Sequence, residues 1–236
     1  ITGGESFYKS PTDMGVNRAG FAIVDDEVTK EAARQELIRR YFRYRCEYAM
    51  GFADRETVQR AELLLKDFHL VPEHRRVVEP ARRAAHEAQA QDKGDEGIYC
   101  GASIELKDGT IVTGNNSPLL HAASSVVIHA IKHLAGIPSM IKLLPESITE
   151  SVRNLKTRIL NEKSVSLDLE ETLIALSISS TTNPAAELAL ERLKELKTCE
   201  VHMTHIPTPG DEAGLRRLGV NLTSDPNFST KDLFIA

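Results

Sequence analysis

The sequence predicts an α/β fold, a three-layer mixed sheet with an edge hairpin, preceded by a helical segment. Three observations carry that prediction. A polar, glycine-bearing stretch at 91–97 separates helix-spaced apolar residues from strand-like ones. Asp108-Gly109 then sits between two strand-like runs as a hairpin turn. Beyond it, helical and strand-like segments alternate at crossover lengths, which implies a mostly parallel sheet with helices on both faces.

Residues 1–30 are expected to form an irregular lead-in, because Gly, Ser, Pro and Asn crowd the first twenty positions. A helical segment with its linker follows over 31–97. In its first helix, expected over 31–52, Ala33, Leu37, Tyr41, Tyr44 and Tyr48 recur at helical steps. A second helix starts near 56 and an Ala-rich third spans 77–91. The α/β domain occupies 98–236 and opens with the hairpin, 98–106 and 110–113. Ser117 as cap and Pro118 in the first turn predict a helix over 119–134, stopped by Gly136 and Pro138. Pro145 starts another, with Ile148, Val152, Leu155 and Ile159 on one stripe. The apolar run 173–179 shows no three-residue period and predicts a strand covered on both faces. Asn183 as cap and Pro184 then start a further helix. Strands at 200–206 and 220–223 flank a helix at 209–218 closed by Gly219. The domain reads β-β-α-α-β-α-β-α-β.

With 236 residues, 41% apolar and 27% charged side chains and a net charge of −5, the chain falls in the globular range, which excludes disorder, collagen and coiled coil. Mild acidity leaves no electrostatic footprint for nucleic acid. No apolar run approaches the ~18 residues of a membrane span, so neither a nucleic acid nor a membrane is expected as partner, and a cytoplasmic placement is. Cys46, Cys100 and Cys199 lack the paired spacing of a zinc site and read as reduced thiols; no metal ligand set is expected. The opening Ile1 suggests a fragment lacking an upstream half. Nine of the twelve aromatic residues precede position 69, which suggests that the helical segment packs on a partner surface and that the protein is a homo-oligomer.

The element order over 98–224 is similar to the cytidine-deaminase-like fold. Deaminase zinc chemistry is nevertheless excluded. The matching segments read His121-Ala122-Ala123 and Asn183-Pro184-Ala185-Ala186-Glu187, without the proton-shuttling glutamate or either thiolate. The topology would keep two helix N-termini, near Ser117 and Asn183, aimed at one place and favouring an anion. Gly114, Asn115, Asn116, Ser117, Ser180, Thr181, Thr182 and Asn183 are the expected anion- or substrate-binding residues there, although capping preferences account for many of them equally well. In the lead-in, Lys9 is expected to neutralise phosphate charge and Asp13 to orient an acceptor or act as base, supported by Ser10, Thr12 and Asn17. Asp25-Asp26-Glu27 suits a magnesium ion, or simply a solvated loop. His121, Ser125, His129, Lys132 and His133 read as a solvated helical stripe, and His202 and His205 as opposite-facing. Arg39, Arg40, Arg43 and Arg45 read as a face that pairs with Glu36 and Glu47.

Tyr8-Lys9-Ser10-Pro11-Thr12-Asp13-Met14-Gly15-Val16-Asn17, Asp25-Asp26-Glu27, Ile111-Val112-Thr113-Gly114, Ala175-Leu176-Ser177-Ile178-Ser179 and Thr182-Asn183-Pro184 together resemble the C-terminal half of the bacterial uncharacterised protein family 0371, domain of unknown function 1846. The resemblance spans nearly the whole chain. It implies longer relatives whose upstream half carries a P-loop-like segment ending in Gly-Ser-Gly-Lys, and with it a nucleotide-using cytoplasmic enzyme; ATP and magnesium are implied only for that half. The family commonly has glycine at position 121 and a Lys-Thr pair at 115–116, so His121 and Asn115-Asn116 depart from its pattern and weaken their own claim to function.

The resulting expectation is half of a phosphoryl-transfer or ligase-type enzyme, supplying an acceptor site for a small anionic metabolite and partnered by the upstream P-loop-like half. The alternative is a non-catalytic oligomerisation or ligand-sensing module of degenerate deaminase-like fold.

Overall fold

The computed structural model describes residues 26–161 and 164–229. Helix α1, Asp26–Ala49, begins earlier than its apolar spacing suggested. In α2, Arg55–Asp67, the Asp54 side chain caps the first turn by accepting from Thr57 N. Helix α3 spans Val78–Ala90. Ile38, Phe42, Ala61, Leu65, Leu70 and Val78 bury their side chains in one cluster among these helices.

Strands β1 (Gly101–Glu105) and β2 (Ile111–Asn115) form the expected hairpin, with Gly109 at φ +84° in its turn. With β3 (Glu200–Met203) and β4 (Asn221–Ser224) they make a four-stranded sheet of order β2-β1-β3-β4. Strand β1 runs antiparallel to both neighbours, and only β3 and β4 pair in parallel. The sheet is therefore mixed, not mostly parallel.

The missing strand explains the difference. Residues 173–179 belong to helix α6, Leu169–Ser180, started by a capping box between Asp168 and Glu171. Its buried stripe is Leu169, Thr172, Ala175, Leu176 and Ser179, a helical period that two polar side chains disguise. Ser179 Oγ satisfies itself on Ala175 O, while Ile174 and Ile178 stand in solvent and mimic a continuous apolar run. The strand-helix-strand-helix-strand run behind the deaminase comparison is thus interrupted. Helix α4, Ala122–Leu134, also starts later than expected: Ser117 Oγ accepts from Leu119 N and Leu120 N and caps a tight turn, not the helix. Helix α5, Glu146–Asn154, runs into a π-helical turn at Leu155–Ile159, and α7 (Pro184–Glu191) and α8 (Pro209–Leu218) follow, the latter ended by Gly219 in the left-handed conformation.

Helices cover both faces of the sheet. Ala102, Ile104, Val201 and Met203 share a core with Val126, Val127, Ala130 and Ile131 of α4. Contact there is close because Gly114 has no Cβ; one would stand 2.4 Å from Val126 N. The opposite face, under α1 and α3, is polar. Ser103 Oγ donates to Val77 O at 2.5 Å, and the buried His202 ring lies 4.8 Å from that of Phe42. Of the α1 aromatics, Tyr41 and Phe42 are buried within the chain, Tyr44 is half-buried and Tyr48 is exposed. On the outside of α1, Arg39 and Arg40 pair with Glu36 at 3.1 and 3.0 Å, and Arg39 also reaches Glu200.

Arg82 grips Asp225 with two bonds of 3.0 and 2.8 Å. Burial alone would raise the Asp225 pKa, but His202 and Arg82 hold it at about 2. An unfolded Asp titrates near ~3.9, so this carboxylate contributes stability in full above that pH and loses it as pH falls through about 2. Burial depresses the His202 pKa as well, which adds stability of the same sign, present above the unfolded imidazole range and lost on acidification. Urea midpoints measured between pH 5 and pH 2 should accordingly fall less steeply in Asp225→Asn than in the parent; parallel curves would show the pair to be silent.

Among the described residues, Cys46, Cys100 and Cys199 are free and buried, and no helix is long and apolar enough to cross a membrane.

Candidate active site at the carboxyl edge of the sheet

Gly101 opposes Asn115 across the hairpin and Ala102 opposes Met203, while β3 and β4 end together at Met203 and Ser224. One edge of the sheet thus collects the start of β1 and the ends of β2, β3 and β4. In open α/β sheets ligands bind outside the carboxyl ends of the strands. Here the chain leaves β2 for α4 and β3 for α8, so both helices present their N-termini at this edge.

The two starts are joined by a His-Asp pair. His121, the N-cap of α4, places Nδ1 2.8 Å from Asp211 Oδ2 in the first turn of α8. The Asp211 side chain is 3% exposed and fully used. Oδ1 accepts from Leu169 N, the first amide of α6, at 2.9 Å, and Oδ2 accepts from Thr208 Oγ1 at 2.8 Å. Three helix N-termini therefore surround one buried carboxylate, which is the charge their dipoles favour. Asp168, the N-cap of α6, adds a second negative charge and lies where a Cβ on Gly210 would be, 2.0 Å from Oδ2.

Burial opposes protonation of His121, but the hydrogen bond and charge of Asp211, helped by Asp168, outweigh it and hold the ring above the ordinary imidazole pKa. Its side chain is 19% exposed, and the hydrogen bond to Asp211 is made by Nδ1, with no second bond of the ring to any described residue. A ring oriented at Nδ1 by a carboxylate and open at Nε2 can donate to an oxyanion or move a proton. Burial and the Asp211 charge push the Cys100 thiol up to about 12, so Cys100 is not a thiolate nucleophile.

The residues singled out from sequence are only partly brought here. Asn115 and Asn116 lie at the edge, but their amides serve the backbone: Asn116 accepts from Cys100 N and donates to Ile98 O, and Asn115 donates to Lys93 O. Gly114 serves packing. Asn183 caps α7, and its amide nitrogen donates to Lys142 O and Leu143 O, residues that line a cleft together with Ser117. Ser180 and Thr181 bond back to carbonyls of α6, and Thr182 lies in the exposed turn beyond them. Lys9, Ser10, Thr12, Asp13 and Asn17 lie outside the described residues. Asp211 escaped the sequence reading altogether. Thr208-Pro209-Gly210-Asp211 was legible as a helix start with an acidic third residue, yet nothing local ties that residue to a histidine ninety positions earlier.

Profiles for two domains match this chain. One, described as "Domain of unknown function DUF1846, C-terminal", covers residues 73–234, and its N-terminal counterpart covers residues 1–69. The chain belongs to the DUF1846 family. Similar curated relatives are named UPF0371 protein: one from Clostridium botulinum strain Alaska E43 is 48% identical over 235 residues, and one from strain Eklund 17B is 47% identical. Each alignment covers 99% of this chain and 46% of the relative, so the chain spans about half the length of the family members it matches. The expected partner, a separate upstream P-loop-like half, is overturned. Relatives align along essentially all of this chain, and both the N- and the C-terminal DUF1846 profiles fall within it, so it does not represent a C-terminal half alone.

Proposed function

We propose that this DUF1846 chain binds a small oxyanion-bearing acceptor at the carboxyl edge of its sheet and uses His121 as general acid-base in a group-transfer reaction of phosphoryl-transfer or ligase type. The observation that carries the reading is the 2.8 Å contact of His121 Nδ1 with buried Asp211, on a ring whose side chain stays 19% exposed. In this reading the acceptor substrate brings the nucleophile. The neutral ring takes the proton from the acceptor's nucleophile at Nε2 as that nucleophile bonds to the transferred group of an activated donor, and the protonated ring returns the proton to the donor's leaving oxygen as the bond to it breaks. Lys9 and Asp13 keep their assignment to charge neutralisation and acceptor orientation. The three buried thiols suit a reducing compartment, and cytoplasmic placement belongs to the same proposal.

Nitrogen-resolved NMR of the histidine rings tests this directly, with inorganic phosphate and acetate as probes. The His121 ring is expected to titrate above ordinary imidazole and to move higher still when either anion is added, and His121→Gln should fold while losing the response. A His121 ring indifferent to both anions would sink the reading.

A further inference from the structure

On the flank of α4 a cleft of about 600 Å³ opens between the 117–120 turn, the 139–144 loop and the first turns of α5. Its size is that of small-molecule pockets, about 300–1,000 Å³. His121 and Asp211 do not line it. Leu119, Leu120, Ile128, Ile141, Leu143 and Leu144 supply apolar wall.

The cleft also holds a buried cation without a counter-ion. Lys132 is 8% exposed, and its ammonium donates to Ser139 O at 2.6 Å and Ile141 O at 2.7 Å. Among the described residues no carboxylate lies within 4 Å of it. A lysine has three donors, so one N–H is left, and burial pulls the group below its ordinary pKa. Buried charges are normally paired, because neutral carbonyls offset only part of the desolvation. Lys142 and Arg153 line the same cleft, likewise with no carboxylate within 4 Å among the described residues. Glu146 and Glu150 share that wall, which disfavours a doubly charged ligand.

We infer that this cleft is a second binding site, for a hydrophobic monocarboxylate whose head group pairs with Lys132 and whose apolar body lies along Leu120, Ile128 and Leu143. The proposal is independent of the His121 site.

Isothermal titration of the whole chain with decanoate, decanol and decyl phosphate, each below its micelle concentration, tests it. Decanoate should bind saturably at one site, at least tenfold more tightly than decanol or decyl phosphate. Lys132→Met should weaken it at least tenfold, and the Lys142→Ala/Arg153→Ala pair, both exposed residues, severalfold at low salt. His121→Gln should leave it unchanged, which separates the outcome from that of the edge site. Decanol or decyl phosphate binding as tightly as decanoate, unsaturable uptake, or decanoate affinity untouched in both sets of variants would overturn the assignment. If Lys132→Met does not fold, the surface pair decides.

Discussion

Replacing Arg75 with methionine is expected to cost the fold about 3–5 kcal/mol, the usual penalty for breaking a buried ion pair from one side. Arg75 is 1% exposed and lies between the helical layer and the sheet. Its Nε donates to Thr223 Oγ1 at 2.9 Å, one terminal nitrogen meets the Glu200 carboxylate, and the other donates to Val201 O at 3.1 Å and Asn221 O at 2.6 Å. The side chain thus bolts β3 to β4 and fixes both beneath the turn that precedes α3. Methionine fills much of the volume but takes the guanidinium from Thr223 Oγ1, Val201 O and Asn221 O, while Glu200 keeps Arg39. Lysine should rescue little, because a single ammonium cannot reach acceptors arranged for a planar fork. Urea unfolding of both variants checks the expectation, and a loss under about 1 kcal/mol in Arg75→Met would falsify the bolt.

Asp211→Ala should act on stability and chemistry together. It strips the acceptor from Leu169 N and from Thr208 Oγ1, and an unpaired buried donor costs about 1–3 kcal/mol. It also removes the charge that holds the His121 pKa up, so that burial dominates and the ring titrates lower. The sign for stability follows from the raised value. The His121-Asp211 pair contributes fully below the unfolded imidazole pKa of ~6.5 and loses its contribution as pH rises through the folded pKa. The parent should therefore lose stability through this pair as pH rises above the ordinary imidazole range, and Asp211→Asn, which keeps the shape, should lack that decline. The same variant should drop out of any anion response read at His121. Identical alkaline limbs in parent and Asp211→Asn, measured by thermal unfolding across pH 5–9, would remove the pair from the account.

Local chemistry made much of the architecture legible. Asp108-Gly109 declared the hairpin, Asn183-Pro184 and Pro209 declared helix starts, and Gly219 declared a stop, because each depends on backbone geometry that only a few residues allow. The reading failed where burial and polarity part company. In α6 the buried positions Thr172 and Ser179 are polar and the exposed Ile174 and Ile178 are apolar, so a test for hydrophobic period sees a strand. At 117–122 two capping signals compete. Ser117 takes a turn, and the helix waits for His121, whose backbone amide is held by Leu167 O. His121 then looked like one of a solvated stripe when it is the first residue of a cap.

By itself the sequence determined the family, the hairpin, most of the helices and the confinement of loop chemistry to their ends, since these follow from side chains within a turn or two of one another. Tertiary structure alone decided the mixed sheet order, the burial of Arg75 and the meeting of His121 with Asp211. Those depend on which distant segments share a face, and pairing energy over such separations leaves no periodic trace along the chain.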